Sequence, residues 1–538
     1  MGGFFIAYLR YHCRMTSNVL PAFSPVDASQ RLDVLDVLRG FALLGICVAN
    51  VEFFNRPVVE AGQGIPAGLH GLDLVVAGLV AFLVSTKFWT LFSLLFGMGF
   101  ALMQERAQAA GRPFLPIYGR RVAVLLVIGL LHHSLLWSGD ILISYAIAAM
   151  SMMLTLFAPV RVLVTAFIAC AALPQMPGLG FLAWLLAPVI FCSLVALYLR
   201  AGKRWLFALV MLVPGVLMLA VALQAGFNDD AGGAVLMGVM ACLLVSLGVA
   251  ACFNRNAARR PLVIGAQVVL LAYLLIALEG GARHFIPGFE EWGNGTVTSA
   301  TGQQASSDVA RELRYREQLA RSAEETRVLS SGSHADAVAM RVRHLDERLR
   351  DEVGFAIVLV GVFLVGYWFV RAGVMARARD HLPLFRRLAW IGTPLGIGLG
   401  LLGGLVATGR PAGVDDQGHD FANAMLMLGS LPAALGYMGI VVLVLHNRGA
   451  LARIRVLAPF GQMALTNYLM QSLVFALLFH AHGLGLWGME RAQQVGIALL
   501  VCLLQIGLSH WWMARFRYGP VECVWRAATY LAWPAMRR

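Results

Sequence analysis

The sequence predicts an all-α fold: a polytopic transmembrane helix bundle of about fourteen helices with one helical extracytoplasmic segment. Three observations carry that expectation. Of the 538 residues, 59% are hydrophobic and 13% charged, with a mean hydropathy of +0.74, whereas a soluble domain carries roughly 25% charged residues. Apolar runs of about 20 residues recur, the length that a hydrocarbon core of ~30 Å asks of a helix. The arginines gather in alternate loops, so positive-inside topology explains the formal charge of +13 without nucleic acid. The eight cysteines lie mostly inside apolar runs with no CxxC pair and no metal-ligand spacing, which makes them packing residues and implies no metal.

Residues 1–30 form an N-terminal cytoplasmic tail; Met1–Arg14 fits a cleavable signal peptide poorly, and Met15 is a candidate start. The N-terminal membrane core covers 31–160, helices 1 to 4. Its first span, about Leu35 to Phe54, carries Asp36 and Arg39 three residues apart on one face, where they can pair or where Arg39 can snorkel to headgroups. The second span, about Leu74 to Met103, contains Lys87, too far from either end to snorkel. The third and fourth meet in the short hairpin Gly129-Leu-Leu-His-His-Ser-Leu-Leu-Trp-Ser-Gly-Asp140, where His132, His133 and Asp140 stand in an apolar stretch. An ionisable side chain in hydrocarbon costs at least ~2.5 kcal/mol, so these residues pair or face a wet cavity. His132 and His133 point roughly 100° apart on one helix, so only one squarely faces that cavity.

Residues 161–282 add about five apolar runs with almost no buried charge. Segment 283–352 is polar and, from Asp308 to Glu352, helical in character, with i,i+4 pairs Arg321–Glu325 and Arg348–Glu352; it reads as a solvated cap. The C-terminal core, 353–530, holds five more runs, a polar stripe of Thr466, Asn467 and Gln471 suited to interhelical hydrogen bonds, and Glu522 with Arg526 at i,i+4 on a short helix. Residues 531–538 form a cytoplasmic tail. Loop charge places both termini in the cytoplasm and the hairpin and cap on the far side.

Several motifs resemble a bacterial family: Leu35-Asp-Val-Leu-Arg-Gly-Phe-Ala-Leu-Leu-Gly-Ile46 with Asn50, Lys87-Phe with Leu91-Phe-Ser-Leu-Leu-Phe-Gly97, His132 with Gly139-Asp-Ile-Leu142, Ala464-Leu-Thr-Asn-Tyr-Leu469 with Gln471-Ser472, and Arg517-Tyr-Gly-Pro-Val-Glu522 with Trp525-Arg526. In this order they are similar to the YeiB-like family of multipass inner-membrane proteins of unassigned function. They cover most of 31–158 and 340–530, so the 161–282 helices read as an insertion. The first-helix motif is in turn similar to that of transmembrane acyltransferases, which pass an acyl group from cytoplasmic acyl-CoA to an acceptor on the far side. Acyltransferase type three proteins carry a histidine late in that helix where this chain has Asn50; heparan-α-glucosaminide N-acetyltransferase has an asparagine there and a reactive histidine in the following outer loop, where His70 stands here.

The resemblance thus implies an acyltransferase with His132, Asp140, His70 and His133 as candidate catalytic residues and Arg39, Lys87, Asn50 and Arg526 as candidates for binding acyl-CoA, acetyl-CoA being the expected donor. A histidine poised near neutral pH can deprotonate the acceptor, and a carboxylate fixes its tautomer; cationic side chains suit the donor's phosphates. The structural alternatives are a hydrogen bond that shuts the hairpin and, for Arg39 and Lys87, ion pairs with Asp36 or Asp73. Partners are the lipid bilayer, acyl-CoA and an unknown acceptor; a homodimer is compatible with the pattern. A transporter or flippase with a Lys87/Asp140/His132 relay, or a non-catalytic membrane partner docking through the cap, remain the competing functions.

Overall fold

The apolar runs become helices in the computed structural model because a backbone in hydrocarbon must satisfy its own hydrogen bonds. The structure describes residues 33–66, 68–173, 176, 186–227, 231–286, 297, 298, 304, 305, 307–407, 418–447 and 449–538. The expectations for the tail 1–30, with Met15, and for much of 287–306 lie outside them.

Along the chain run α1 (Asp33–Asn50), α2 (Gly71–Leu79), α3 (Lys87–Ala109), α4 (Phe114–Leu135), α5 (Leu142–Phe157), α6 (Val160–Ala172), α7 (Leu186–Arg200), α8 (Arg204–Phe227), α9 (Ala231–Phe253) and α10 (Arg260–Phe285). After a two-residue antiparallel pairing of Val297–Thr298 with Gln304–Ala305 come α11 (Ser307–Ser331) and α12 (His334–Arg343). The C-terminal part comprises α13 (Leu345–Arg371), α14 (Leu382–Arg387), α15 (Thr393–Ala407), α16 (His419–Leu428), α17 (Ser430–Leu445), α18 (Leu457–Gln462), α19 (Ala464–Phe479), α20 (Arg491–Met513) and α21 (Pro520–Tyr530). Among the described residues, nine helices are long and apolar enough to cross a membrane, or ten if Ala452–Gln462 and Ala464–Phe479, bent by 78°, form one span. Shorter apolar helices include Leu142–Phe157. The expected runs are thus all helical but unequal in length, and the fold is an all-α polytopic bundle.

Helix α13 is the most enclosed: 78% of its apolar window is buried, against 22% for α20. It lies against α3 at a distance only glycine allows, since a Cβ on Gly97 would meet the Phe363 carbonyl at 2.1 Å. Small residues are what let membrane helices approach so closely.

Two departures from the sequence reading matter. The second apolar run is not one helix: it passes through a π-turn at Val80–Val84 and breaks at Ser85–Thr86, where Thr86 has φ +67°, immediately before Lys87. A threonine in the left-handed region is sterically costly and persists only where packing over-determines it. The expected cap, moreover, ends sooner. Helices α11 and α12 are polar, but Leu345–Glu352 is already the first part of α13, with Asp346, Arg350 and Asp351 exposed and Glu352 2% exposed.

The cap is docked on the hairpin. Val328, Leu329, Ala337 and Met340 form its small core with Trp487 packed on it, the Ala481 amide donates to the Leu329 carbonyl, and the His334 ring bonds the Leu135 carbonyl at 2.9 Å. A capping box between Ser333 and Asp336 starts α12. The expected Arg321–Glu325 pair does not form: Arg321 reaches Glu347 at 2.9 Å, and the buried Glu325 accepts from Ser138 Oγ and the Val59 amide. Helix spacing alone could not reveal that Glu325 faces the core rather than solvent.

Candidate functional site

The hairpin between α4 and α5 is closed by geometry its own residues dictate. Leu136 and Trp137 amides both return to the His132 carbonyl, and a Cβ on Gly139 would lie 2.4 Å from the Trp137 ring. Asp140 then heads α5, with its Oδ2 accepting the Ile143 amide at 2.9 Å in the manner of an N-terminal helix cap. Its Oδ1 lies 2.7 Å from His132 Nδ1. Both side chains are sealed from solvent, at 1% and 0% exposure. With the carboxylate as acceptor, Nδ1 carries the proton and Nε2 presents its lone pair. That Nε2 is buried and has no protein partner.

Around the dyad stand residues from distant parts of the chain. Arg348 donates to the Asp140 carbonyl at 2.8 Å and pairs with Glu352, which also accepts from Ser144. The Tyr468 ring lies 5.2 Å from that of His132, and its buried hydroxyl has no partner. Trp137 stacks on Phe54 with ring centres 4.6 Å apart, and Phe54 in turn contacts Phe475 and His480. These rings wall the dyad off beneath the cap.

The opposite end of α4 carries a different chemistry. The Arg121 guanidinium sits 3.6 Å over the Trp525 ring, whose Nε1 donates to the Arg121 carbonyl, and the Arg526 guanidinium lies 4.4 Å over Tyr518. Arg39 is within electrostatic reach of Arg121, as is Arg526. Arg39 pairs with Asp36 at 2.9 Å, while Arg121 and Arg526 have no carboxylate partner among the described residues. Guanidinium groups held over aromatic rings can keep donor edges free for a planar or phosphoryl anion. Eleven residues separate Arg121 from His132, about 16 Å along the helix axis.

Of the residues singled out from the sequence, the structure sets Arg526 and Arg39 each within electrostatic reach of Arg121 and brings His132 to Asp140. His133 is buried beside them with Nδ1 unpartnered. His70 is exposed at the start of α2, with Nδ1 3.1 Å from the Gly68 carbonyl, and belongs to neither cluster. Asn50 ends α1 without a side-chain cap bond. Lys87 is fully buried elsewhere, with Nζ 3.4 Å from the Ala81 carbonyl; neither expected acid is its partner, since Asp36 takes Arg39 and Asp73 accepts the Ala492 amide. Glu522, four residues before Arg526, caps α19 by accepting from the Leu465 and Thr466 amides and from Thr466 Oγ1.

The polar stripe on α19 locks it to α20: Asn467 donates to Ser509 Oγ at 3.1 Å, Gln471 to Gln505 at 2.9 Å, and Gln505 back to the Asn467 carbonyl. Sequence reasoning missed Arg121, Glu352, Arg348 and Tyr468 as parts of a site. Tyr468 was visible only inside a motif, and Arg121 only as one of several loop arginines. Among the described residues no group of three or more His, Cys, Asp or Glu is placed to hold a metal ion.

Proteins similar to this chain are uncharacterized. Residues 369–532 match the family model described as a protein of unknown function, DUF418. The uncharacterized protein YxaH of Bacillus subtilis is 25% identical over 96% of this chain and 98% of its own length. The uncharacterized protein YeiB of Escherichia coli is 24% identical over 94% of this chain and 97% of its own. A 39.9 kDa uncharacterized protein of Bacillus acidopullulyticus is 35% identical, but over 24% of this chain and 35% of its own. No solved structure matches. With the first-helix, hairpin and C-terminal motifs in place on one bundle, the chain is similar over nearly its whole length to the uncharacterized proteins YxaH and YeiB, and over 369–532 to the DUF418 family.

Proposed function

We propose that this protein is a membrane-bound acyltransferase that takes an acyl group from acyl-CoA, with acetyl-CoA the simplest donor, and passes it to a hydroxyl or amine acceptor. The observation that carries the reading is the sealed His132–Asp140 dyad with an unpartnered Nε2, the arrangement a general base of acyl transfer needs. Support comes from the arginine–aromatic cluster at the other end of α4, whose unpaired guanidinium edges suit the phosphates of a nucleotide thioester. The ~16 Å between them is a distance for a pantetheine arm to span. In this reading the arginine end faces the cytoplasm of a bacterial inner membrane, following the positive-inside rule, and the acceptor arrives from the cap side. Arg121, Arg526 and Arg39 hold the donor; His132 takes the acceptor's proton; Asp140 holds the ring in its tautomer.

The test uses purified full-length protein in nanodiscs with a panel of radiolabelled acyl-CoA thioesters. Saturable binding weakened about tenfold by Arg121→Gln, and thioester consumption abolished by His132→Ala with binding retained, are expected; neither binding nor consumption across the panel overturns the reading. A proton-coupled carrier is the second reading, favoured by the continuous contact of His132, Asp140, Arg348, Glu352 and Ser144. Substrate-dependent proton flux in proteoliposomes that Asp140→Asn abolishes, with no thioester consumed, selects it.

A further inference from the structure

The region around His132 leaves two polar groups unused, and they belong to neighbouring rings. His132 Nε2 and the Tyr468 hydroxyl are both buried, neither makes a well-formed hydrogen bond within the protein although the Ile141 amide lies in reach of the phenol oxygen, the phenol proton has no acceptor, and the ring centres are 5.2 Å apart. A buried hydroxyl whose proton has no acceptor is costly to keep, and Tyr468 is 7% exposed. Its position is strongly held. Glu522 caps α19 two residues before it, Asn467 and Gln471 bolt the same helix to α20, and the ring packs on the imidazole. The chain therefore fixes a proton donor beside a proton acceptor while giving neither a protein partner.

We infer that Tyr468 is a catalytic residue: its hydroxyl donates to the carbonyl oxygen of the thioester and stabilises the negative charge that oxygen acquires. The inference rests on the acyltransferase reading and deepens it by assigning the oxyanion donor. In the step, His132 Nε2 removes the acceptor's proton while the acceptor oxygen or nitrogen forms a bond to the thioester carbonyl carbon. The carbonyl π pair moves onto oxygen, where the Tyr468 O–H meets it. On collapse the C–S bond breaks, the pair leaves with sulfur, and the imidazolium returns its proton to that sulfur, giving the acylated acceptor and free thiol. Proton count and charge balance with no further reactant. The phenol keeps its own proton throughout and acts only as a hydrogen-bond donor.

The experiment compares wild type, Tyr468→Phe and His132→Ala, each full-length in nanodiscs, for acetyl-CoA consumption and for equilibrium binding of acetyl-CoA. Phenylalanine keeps the ring contact with His132 and removes only the hydroxyl. Loss of one oxyanion donor should lower kcat on the order of 10²-fold or more while KM and binding change by less than about threefold. A Tyr468→Phe protein with near-wild-type kcat, while His132→Ala is inactive, overturns the assignment of Tyr468 and leaves the acyltransferase reading standing. A Tyr468→Phe protein that loses binding and thermal stability together with kcat also overturns it, because that is what a packing role would do. A wild type that consumes no thioester overturns both.

Discussion

In the block α6–α10 the buried cation is Arg260, and its Nη1 donates to the carbonyls of Tyr198, Leu199 and Ala201 at 3.3, 3.1 and 2.9 Å. These are the last carbonyls of α7 and its exit, groups that a helix leaves unpaired and a cation satisfies well. In the core formed by α1–α5 and α13–α21, buried polar groups are left with capacity to spare. Lys87 has three donors and one carbonyl at 3.4 Å; His132 Nε2 and the Tyr468 hydroxyl have no protein partner. The block uses buried charge to finish a helix end, whereas the core holds charge in readiness, which is the pattern expected where ligands are handled.

The largest test of this contrast is Asp140→Asn. Without the carboxylate the imidazole loses its tautomeric lock, and acyl transfer is expected to fall on the order of 10³–10⁴-fold with binding of the thioester retained. Unchanged turnover would place the dyad with Arg260 among purely structural contacts. Lys87→Met comes next: removing a buried ammonium with a single long hydrogen bond should stabilise the protein by about 1–3 kcal/mol, read as a raised unfolding temperature in detergent. Stabilisation with activity intact makes Lys87 an unspent cost; stabilisation with activity lost brings it into the site.

Arg260→Gln should do the reverse, costing about 1–3 kcal/mol through the carbonyls it abandons and leaving thioester turnover at the wild-type rate. A loss of turnover there would erase the distinction between block and core.

The smallest expected effect concerns the cap. Burial, then Arg341, His482 and His334, lowers the His480 imidazole to about 3, and burial lowers His482 as well. A depressed folded pKa contributes stability that is present above the free value near 6.5 and lost as pH falls below it, by about 1.4 kcal/mol per unit for a single group. Glu325, raised by burial, opposes this, since its docked form favours the proton. The protection of α11 and α12 against hydrogen exchange, taken relative to the intrinsic rate of an unstructured amide at each pH, should therefore fall between pH 7.5 and 5.5, and His480→Gln should flatten the response. Protection that rises on acidification would make Glu325 the dominant group.

Helix placement was legible because bilayer thickness fixes the length of an apolar run, and the dyad because two ionisable residues flanking a short hairpin have few other partners. The break before Lys87 left no such trace: Ser85–Thr86 contains neither proline nor glycine, and its left-handed threonine is imposed by tertiary packing. Glu352 was read as solvated from its i,i+4 spacing to Arg348. That pair does form, but on the face of α13 that meets Ser144 of α5, and spacing says nothing about which face is covered. The arginine cluster was half visible. Arg39 and Arg526 stood in motifs, while Arg121 earns its place by lying on Trp525, a residue 404 positions away in sequence.

Helix α21 is eleven residues long and carries two roles on adjacent turns: Arg526 leans on Tyr518, and Glu522 holds the first turn of α19. A short rigid rod with a handle at one place and a grip at another is a lever. In the acyltransferase reading, a displacement of Arg526 by the donor's phosphates would pass through Glu522 to the first turn of α19, and hence to the phenol two residues further on. Such a linkage would align the phenol with the imidazole as the donor settles and so spare the thioester from idle hydrolysis.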